Sequence, residues 1–259
     1  MNPPRFFVSV PLAVGARVEL PPGAARHVGR VLRMRAGEAL TLFDGRGGEY
    51  ACRVLSSLRG AVSVEALEWR GTERESPLDL TLAQGLQAGE RMDLTVQKAV
   101  ELGAARIVPL VTRRGVSRPE GERAKKRAAH WRAVAASACE QCGRNRVPEV
   151  AEPEDLADWL ARPLAGAPLR LMLDPEAARA LDALPPPASM AVELLVGAEG
   201  GFAPEEAEAA RRAGFTALRL GPRILRTETA GLAALATLQC LWGDFGGRGG
   251  HFGEGAGNV

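Results

Sequence analysis

Residues 191–245, AVELLVGAEGGFAPEEAEAARRAGFTALRLGPRILRTETAGLAALATLQCLWGDF, decide the reading of the whole chain. Ala191 to Val196 is a nearly continuous apolar run ended by Gly197, which predicts a strand covered on both faces. Gly197, Gly200 and Gly201 then allow the main chain to approach a ligand closely. Pro204 with Glu205, Glu206 and Glu208 predicts a helix start, because proline and acidic side chains suit the first turn. Gly214 ends that helix, and Thr216 to Leu220 reads as the next strand. Gly221 opens a second loop, PRILRTET, ahead of the uncharged stretch from Thr229 to Gly243. Two strand-glycine-helix passages side by side suit a nucleotide-type pocket. GAEGG is nevertheless neither GxGxxG nor a phosphate loop with its Lys-Ser/Thr, so physics alone leaves a plain turn equally open.

LLVGAEGGF at Leu194 to Phe202, followed by LGPRILRTETA at Leu220 to Ala230, resembles the paired cofactor loops of the SPOUT methyltransferases. Within them the chain resembles the RsmE family, the 16S rRNA (uracil-N3) methyltransferases. Further motifs fall in family order: RFF at Arg5 to Phe7, His27 with VLR at Val31 to Arg33, and FDGRGGEY at Phe43 to Tyr50. QKAVELG at Gln97 to Gly103 and CEQCGRNRVP at Cys139 to Pro148 continue it, so that the resemblance covers nearly the whole chain. Two departures are local. Ala198 stands where relatives show proline in IGPEGG, and TRRGV at Thr112 to Val116 lacks the serine that the family tends to place after the arginine.

That resemblance implies an α/β fold with an N-terminal PUA-like β-barrel over 1–72, an RNA-docking module. A SPOUT-type trefoil-knotted methyltransferase domain with a mostly parallel sheet follows over 73–245. It implies S-adenosylmethionine as cofactor, held by main-chain groups around Leu173, Gly197, Glu199, Gly200, Gly201, Leu220, Gly221, Ile224 and Leu225. The implied substrate is one uridine of 16S rRNA, uracil 1498 by family resemblance. The implied assembly is a homodimer. Two other readings stay open: a SPOUT enzyme with a different rRNA or tRNA target, and a non-catalytic RNA-binding assembly factor.

Composition bounds these readings. At 259 residues the chain can bury a sizeable core, in two domains. It has no leader, and Ala230 to Trp242 is too short to span a bilayer, so a soluble cytoplasmic protein is expected. The four cysteines are irregularly spaced. Cys139 and Cys142 lie on the apolar stripe of one helix with no histidine cluster nearby, which favours core packing over a metal site. Net charge is only +2 but uneven: residues 1–75 carry 11 basic and 8 acidic side chains, 76–150 carry 13 and 8, and 151–259 carry 9 and 15. A polyanion should therefore meet the first 150 residues. The densest basic run is Arg113, Arg114, Arg118, Arg123, Lys125, Lys126, Arg127 and Arg132, which reads as phosphate contact or as a solvated helix face.

In chain order, RFFVSV and ARVEL read as short strands, and Pro21-Pro22 opens an amphipathic helix carrying Val28, Val31 and Leu32. Alternation in Ala39 to Phe43, Tyr50 to Leu55 and Ala61 to Leu67 completes a β-rich module. EWRGTERESP, Glu68 to Pro77, reads as a linker. Leu78 to Leu86 predicts a strand, Glu90 to Leu102 a helix and Ala105 to Val111 a strand, as a parallel sheet requires. Gln97, Lys98 and Glu101 either touch RNA or brace that sheet. Gln141, Arg144 and Arg146 sit at a helix end, where a guanidinium grips a phosphate or caps carbonyls. Gly246 to Val259 reads as a mobile glycine-rich tail. Candidate RNA contacts are Arg5, His27, Arg33, Arg113, Lys125, Lys126, Arg127 and Arg144.

The chemistry singles out two further residues. Uracil N3 is protonated at neutral pH, and none of the three histidines lies near the glycine loops. Arg226 is therefore the candidate for stabilising a developing uracil anion, with Glu228 or Glu199 as proton acceptor. The alternative for Arg226 is a loop-holding ion pair with Glu228. On α-helical spacing, Leu232, Leu235, Leu238, Leu241 and Trp242 cover more of their helix than one core face needs, which suits a dimer surface.

Overall fold

The computed structural model describes residues 3–58, 60–163, 166–181 and 184–246. The glycine-rich tail of the sequence reading, Gly246 apart, lies outside them. The chain divides into two compact units: Met1–Glu75 with Ala135–Val147, and Ser76–Val134 with Pro148–Val259.

The first unit is built on β1 (Arg5–Phe7), β2 (Arg17–Glu19), β3 (Ala39–Phe43), β4 (Glu49–Leu58) and β5 (Ala61–Arg70). They form one sheet in the order β1-β3-β4-β5-β2, antiparallel except for the parallel β1/β3 pair. Alternation works as expected: Val62, Val64 and Ala66 face a core shared with Phe6, Val28, Leu40, Leu42 and Val54. The amphipathic helix of the sequence reading is corrected. It is the short α1 (Pro22–Arg26) running into a π-helical turn, His27–Val31, closed by the Leu32 N–H on the His27 carbonyl (2.9 Å). The wider turn rotates the following residues off the apolar stripe. Val28 is buried, while Val31 is 66% exposed and Leu32 is also outside. The expected linker is likewise anchored. Its first residues extend β5 to Arg70, the Glu73 carboxylate accepts the Gly48 N–H (2.6 Å), and Glu75 pairs with Arg144.

The second unit carries β6 (Asp79–Gly85), β7 (Ala104–Val111), β8 (Glu149–Val150), β9 (Glu154–Asp155), β10 (Leu169–Leu173), β11 (Ala191–Val196) and β12 (Thr216–Leu218). The sheet order is β12-β10-β11-β6-β7-β8, with β9 also on β7, and every pairing is parallel. Central strands covered on both faces must be apolar throughout. Leu80, Leu82, Ala83, Leu194, Leu195 and Val196 are accordingly all buried. Five helices accompany the strands: α2 (Arg91–Glu101), α3 (Gly121–Cys142, of which Ala135 onward groups with the first unit), α4 (Leu156–Leu160), α5 (Pro204–Arg212) and α6 (Thr227–Trp242). Trp159, Phe215, Ala210, Met172 and Leu195 share one core cluster. Elsewhere α6 packs on α2 and β11. Gln239 of α6 accepts from Ser76 Oγ (2.8 Å) and donates to the Leu102 carbonyl (2.9 Å), which fixes the helix along its length. Leu235 and Leu238 point inward, each worth about 1.5–3 kcal/mol of burial. Leu232 and Trp242 are half-buried, and Leu241 and Phe245 are exposed, so the helix keeps more apolar surface than its own core covers. Cys139 is buried, and desolvation pushes its thiol up to about 12, which keeps it from nucleophilic chemistry.

Candidate active site

Both glycine loops leave the C-terminal ends of parallel strands of one sheet, β11 and β12 with β10 between them, and that end is where open α/β sheets bind ligands. The first, Gly197–Gly201, is a tight turn closed by the Gly201 N–H on the Ala198 carbonyl (2.9 Å), with Gly201 at φ +68°. Its surroundings explain its composition. A Cβ on Gly200 would lie 2.8 Å from both Cβ and the carbonyl oxygen of Arg114, and one on Gly197 would lie 3.1 Å from Gly201 Cα. Across the sheet, a Cβ on Gly85 would lie 2.4 Å from the Ala198 nitrogen. The turn is thus folded on itself and pressed between the end of β6 and the 112–116 segment. Glu206 ties that segment down, accepting the Arg113 N–H on one oxygen and the Ala203 N–H on the other (both 2.8 Å).

Glu199 faces out of this turn toward the start of α2, where it accepts from Arg91 Nη1 (2.9 Å) and from the Ala88 N–H (3.2 Å). Burial pushes its carboxyl up. Bonds from its own N–H, from Ala88 and from Arg91 outweigh that effect and hold it below the usual carboxylate value. A carboxylate stabilised in this way is a poor proton acceptor.

The second loop is open. Leu220 and Leu225 are half-buried, Arg223 is exposed, and Ile224 is 87% exposed. Gly221 takes φ +69° with no heavy atom within 4 Å of where a Cβ would stand. Arg226 is the N-cap residue of α6, in extended conformation, its carbonyl accepting the Ala230 N–H (2.8 Å). Its exposed guanidinium makes no ion pair with Glu228 or with any other described residue, so the loop-holding alternative is not realised. Leu173 ends β10 half-buried, and the next residue continues the ladder through the Asp174 N–H on the Leu218 carbonyl (2.9 Å).

Sequence reasoning missed the polar groups beneath both loops. Gln84 and Thr95 are fully buried, Gln87 and Thr227 nearly so. Gln84 Nε2 donates to Thr227 Oγ1 (2.9 Å) and to the Gly197 and Gly85 carbonyls (3.2 Å each), and the Thr227 hydroxyl donates to the Gly197 carbonyl. With its amide oriented as its neighbours require, Gln87 donates from its nitrogen to Thr95 Oγ1 (2.8 Å) and to the Arg91 carbonyl, and its oxygen takes the Glu228 N–H (3.2 Å). No side chain of its own helix caps α6, and Gln87 satisfies one of its orphan donors from outside. Two glutamines inside the apolar run LTLAQGLQAG were the available signal.

The candidate RNA contacts separate. Arg5 and Arg144 leave the set, because internal acceptors engage their guanidinium groups. Arg5 pairs with Glu49, donates to Asn145 Oδ1 (2.7 Å) and lies over the Phe43 ring. Arg144, 4% exposed, forks onto the Glu75 carboxylate. His27 is exposed, edge-on to Phe6. Arg33 is exposed at φ +53°, an uncommon conformation for a side-chain-bearing residue. Arg113 lies near Glu205 (3.6 Å) and Lys125 near Glu122 (3.3 Å). Lys126 and Arg127 are exposed without an ion pair among the described residues. Gln97 is exposed, and Lys98 pairs with Glu101 (2.8 Å).

Comparison with known proteins gives this geometry a family. Residues 74–239 match an RNA methyltransferase domain and residues 20–67 an RNA methyltransferase PUA domain. Ribosomal RNA small subunit methyltransferase E of Buchnera aphidicola (subsp. Schizaphis graminum) is 32% identical over 241 residues, covering 93% of this chain and 97% of its own. The Mycobacterium tuberculosis protein of the same name is 33% identical, covering 91% of each. A crystal structure of ribosomal RNA small subunit methyltransferase E from Neisseria gonorrhoeae bound to S-adenosyl methionine is 41% identical with a TM-score of 0.87, covering 94% of this chain and all of that one (100%). A putative methyltransferase from Legionella pneumophila, in complex with the same cofactor, is 39% identical with a TM-score of 0.88 and the same coverage. The chain belongs to the ribosomal RNA small subunit methyltransferase E family.

Proposed function

We propose that this protein methylates N3 of one uridine in 16S rRNA, with S-adenosylmethionine as methyl donor. The carrying observation is the pair of glycine loops at the C-terminal ends of β11 and β12, one braced and one open, with an arginine unpaired among the described residues at the end of the second. The residues fit the cofactor. Gly201 and Gly221 have positive φ and open space where a Cβ would stand, so main-chain groups there are free of side-chain cover. Ile224 offers an exposed apolar surface beside them. An adenine edge and an amino-acid tail are groups that backbone N–H and C=O read well. The bound cofactor supplies an already activated methyl group, which leaves the protein to align the acceptor and manage its proton. Arg226 stabilises the uracil anion. Glu199 is held too acidic to take the proton, so Glu228 is the remaining carboxylate beside Arg226.

Within the same reading, residues 1–72 form the RNA-docking barrel and 73–245 the catalytic domain, with the 220–225 loop threading the family's trefoil knot. The protein acts in the cytoplasm as a homodimer that covers the exposed apolar face of α6. His27, Arg33, Arg113, Lys125, Lys126 and Arg127 contact RNA phosphates. Replacing Lys125, Lys126 and Arg127 together then flattens the salt dependence of RNA binding, since each phosphate contact releases counterions. Cofactor affinity stays unchanged.

The deciding experiment combines calorimetry with S-adenosylhomocysteine and primer extension on 16S rRNA treated with enzyme and cofactor. N3 methylation blocks base pairing and stops the polymerase at the modified uracil. Absence of binding removes the methyltransferase reading, and a stop elsewhere, or none, removes the uracil-N3 assignment.

A further inference from the structure

Gln84 is a fully buried amide near the end of a strand whose other buried side chains, Leu80, Leu82 and Ala83, are apolar. Such a group is costly unless both ends are paired. Only one is. Its Nε2 serves the Thr227 hydroxyl and the carbonyls of Gly197 and Gly85. Its Oε1 has no hydrogen-bond partner among the described residues and lies against Gly231 of α6, where a Cβ would stand 3.1 Å from it. A methionine or leucine would fill the same space without an orphaned acceptor, so packing does not account for this side chain. The N–H end does. Gly197 is where β11 gives way to the first glycine loop, and its carbonyl receives Gln84 from β6 and Thr227 from the first position of α6.

We propose that Gln84 and Thr227 form a clamp that locks the first glycine loop to the start of α6, making Gln84 a positioning residue for methyl transfer. The inference rests on the proposed methyltransferase reading. In that reading the 197–201 loop holds the donor, while Arg226, one residue before Thr227, holds the acceptor. The donor is therefore held in part by a loop other than the one that presents the acceptor, and the rate depends on how the two loops are placed. A misplacement of about 1 Å costs on the order of a hundredfold in rate. The hydrogen bonds joining Gln84, Thr227 and Gly197 span that gap directly. They link three separate segments: β6, the end of β11 and α6.

The test uses the full chain with Gln84→Met and Thr227→Val, which remove the donors at nearly constant volume, and Thr227→Ser, which keeps the hydroxyl. In the cofactor-free protein, amide exchange at Gly201, bonded to Ala198, should accelerate by about tenfold or more in the first two variants while β7 and α2 stay protected. Thr227→Ser should exchange as the wild type does. With saturating cofactor and RNA, kcat should fall on the order of a hundredfold in Gln84→Met and Thr227→Val. The double variant should be little slower than the worse single one, because both break the same clamp. If Gln84→Met does not fold, Thr227→Val decides alone. A lowered melting temperature with wild-type kcat and unchanged Gly201 exchange makes the network merely structural and overturns the proposal. A wild-type protein that binds no S-adenosylhomocysteine overturns the functional reading instead.

Discussion

The two glycine loops of the second unit leave the same end of one sheet, from β11 and β12 with β10 between them, yet they are built on opposite terms. Gly197–Gly201 is enclosed: Arg114 presses on it, Gly85 leaves room for it, Gln84 and Thr227 bond its first carbonyl, and Arg91 holds its glutamate. The loop from Leu220 to Arg226 is open, with Ile224 in solvent and Arg226 unpaired among the described residues. In the first loop Gly197 and Gly200 are demanded by space, whereas Gly201, like Gly221 in the second, is demanded by its positive φ alone. A preformed floor and an exposed wall divide the work between them. Binding geometry is set in advance by the first, and the second supplies groups that become useful when a ligand arrives.

The largest expected effect tests the second loop. Arg226→Ala should lower kcat by about 10²–10³-fold, the usual cost of removing one donor to a developing anion. S-adenosylhomocysteine affinity should stay within about threefold of wild type, less than 1 kcal/mol. A variant that loses affinity and turnover alike makes Arg226 part of the cofactor wall and breaks the division of labour.

Gly200→Ala tests the first loop and should behave in the opposite way. Its Cβ meets main-chain and Cβ atoms of Arg114, which give way less readily than the end of a flexible side chain. Overpacking of this kind costs about 1–3 kcal/mol, roughly a tenfold to hundredfold loss of cofactor affinity. Gly221→Ala has open space and only a backbone penalty, and should cost less. Equal losses at the two glycines, read by calorimetry, would mean that the enclosure of the first loop has no bearing on the ligand.

Much of this was legible beforehand, and the residues say why. Ala191–Val196 was readable because a strand buried on both faces leaves a continuous apolar run, and the structure gives it those bounds. The start of α5 at Pro204 was readable because helix beginnings have local chemistry, whereas α6 begins at Thr227, two residues ahead of the uncharged stretch read from Thr229. Arg5 and Arg144 were misread because an arginine's partner lies elsewhere in the chain: Glu49, Asn145 and Glu75 are distant in sequence. The bonds joining Gln84 to Thr227 and Gly197 were hidden for the same reason. A buried amide looks like any polar residue until one acceptor from its own strand and two from other segments close around it. The π-helical turn at His27–Val31 was hidden because a helical apolar pattern does not announce a one-residue widening.

A smaller effect sharpens the picture of the open wall. Ile224→Ala removes exposed apolar surface that contributes only once a ligand covers it. Full burial of such a side chain is worth about 1.5–3 kcal/mol, and a ligand covering one side recovers part of that. A loss of cofactor affinity of about tenfold or less, with no change in melting temperature, is the expected result. A drop in melting temperature would mean that Ile224 is already packed in the free protein.

The smallest effect concerns pH and the brace on the enclosed loop. Glu199 titrates below its ordinary value in the folded protein, held there by its own N–H, by Ala88 and by Arg91 against the opposing push of burial. A depressed carboxyl contributes its stabilisation fully above the unfolded value and loses it as pH falls through the folded one. The brace is therefore intact at neutral pH and through the ordinary carboxylate range, and it fails only in more acidic solution. The pair is partly exposed, with side-chain accessibilities of 46% for Arg91 and 34% for Glu199, so its worth is that of a surface ion pair, about 1 kcal/mol or less. Glu199→Gln keeps an acceptor for the Ala88 N–H but removes the charge. It should speed Gly201 amide exchange at neutral pH by no more than about fivefold and abolish any further loosening on acidification. Wild-type and variant loops that loosen in parallel as pH falls would show that the brace lies with other groups, with Gln84 and Thr227 the first to examine.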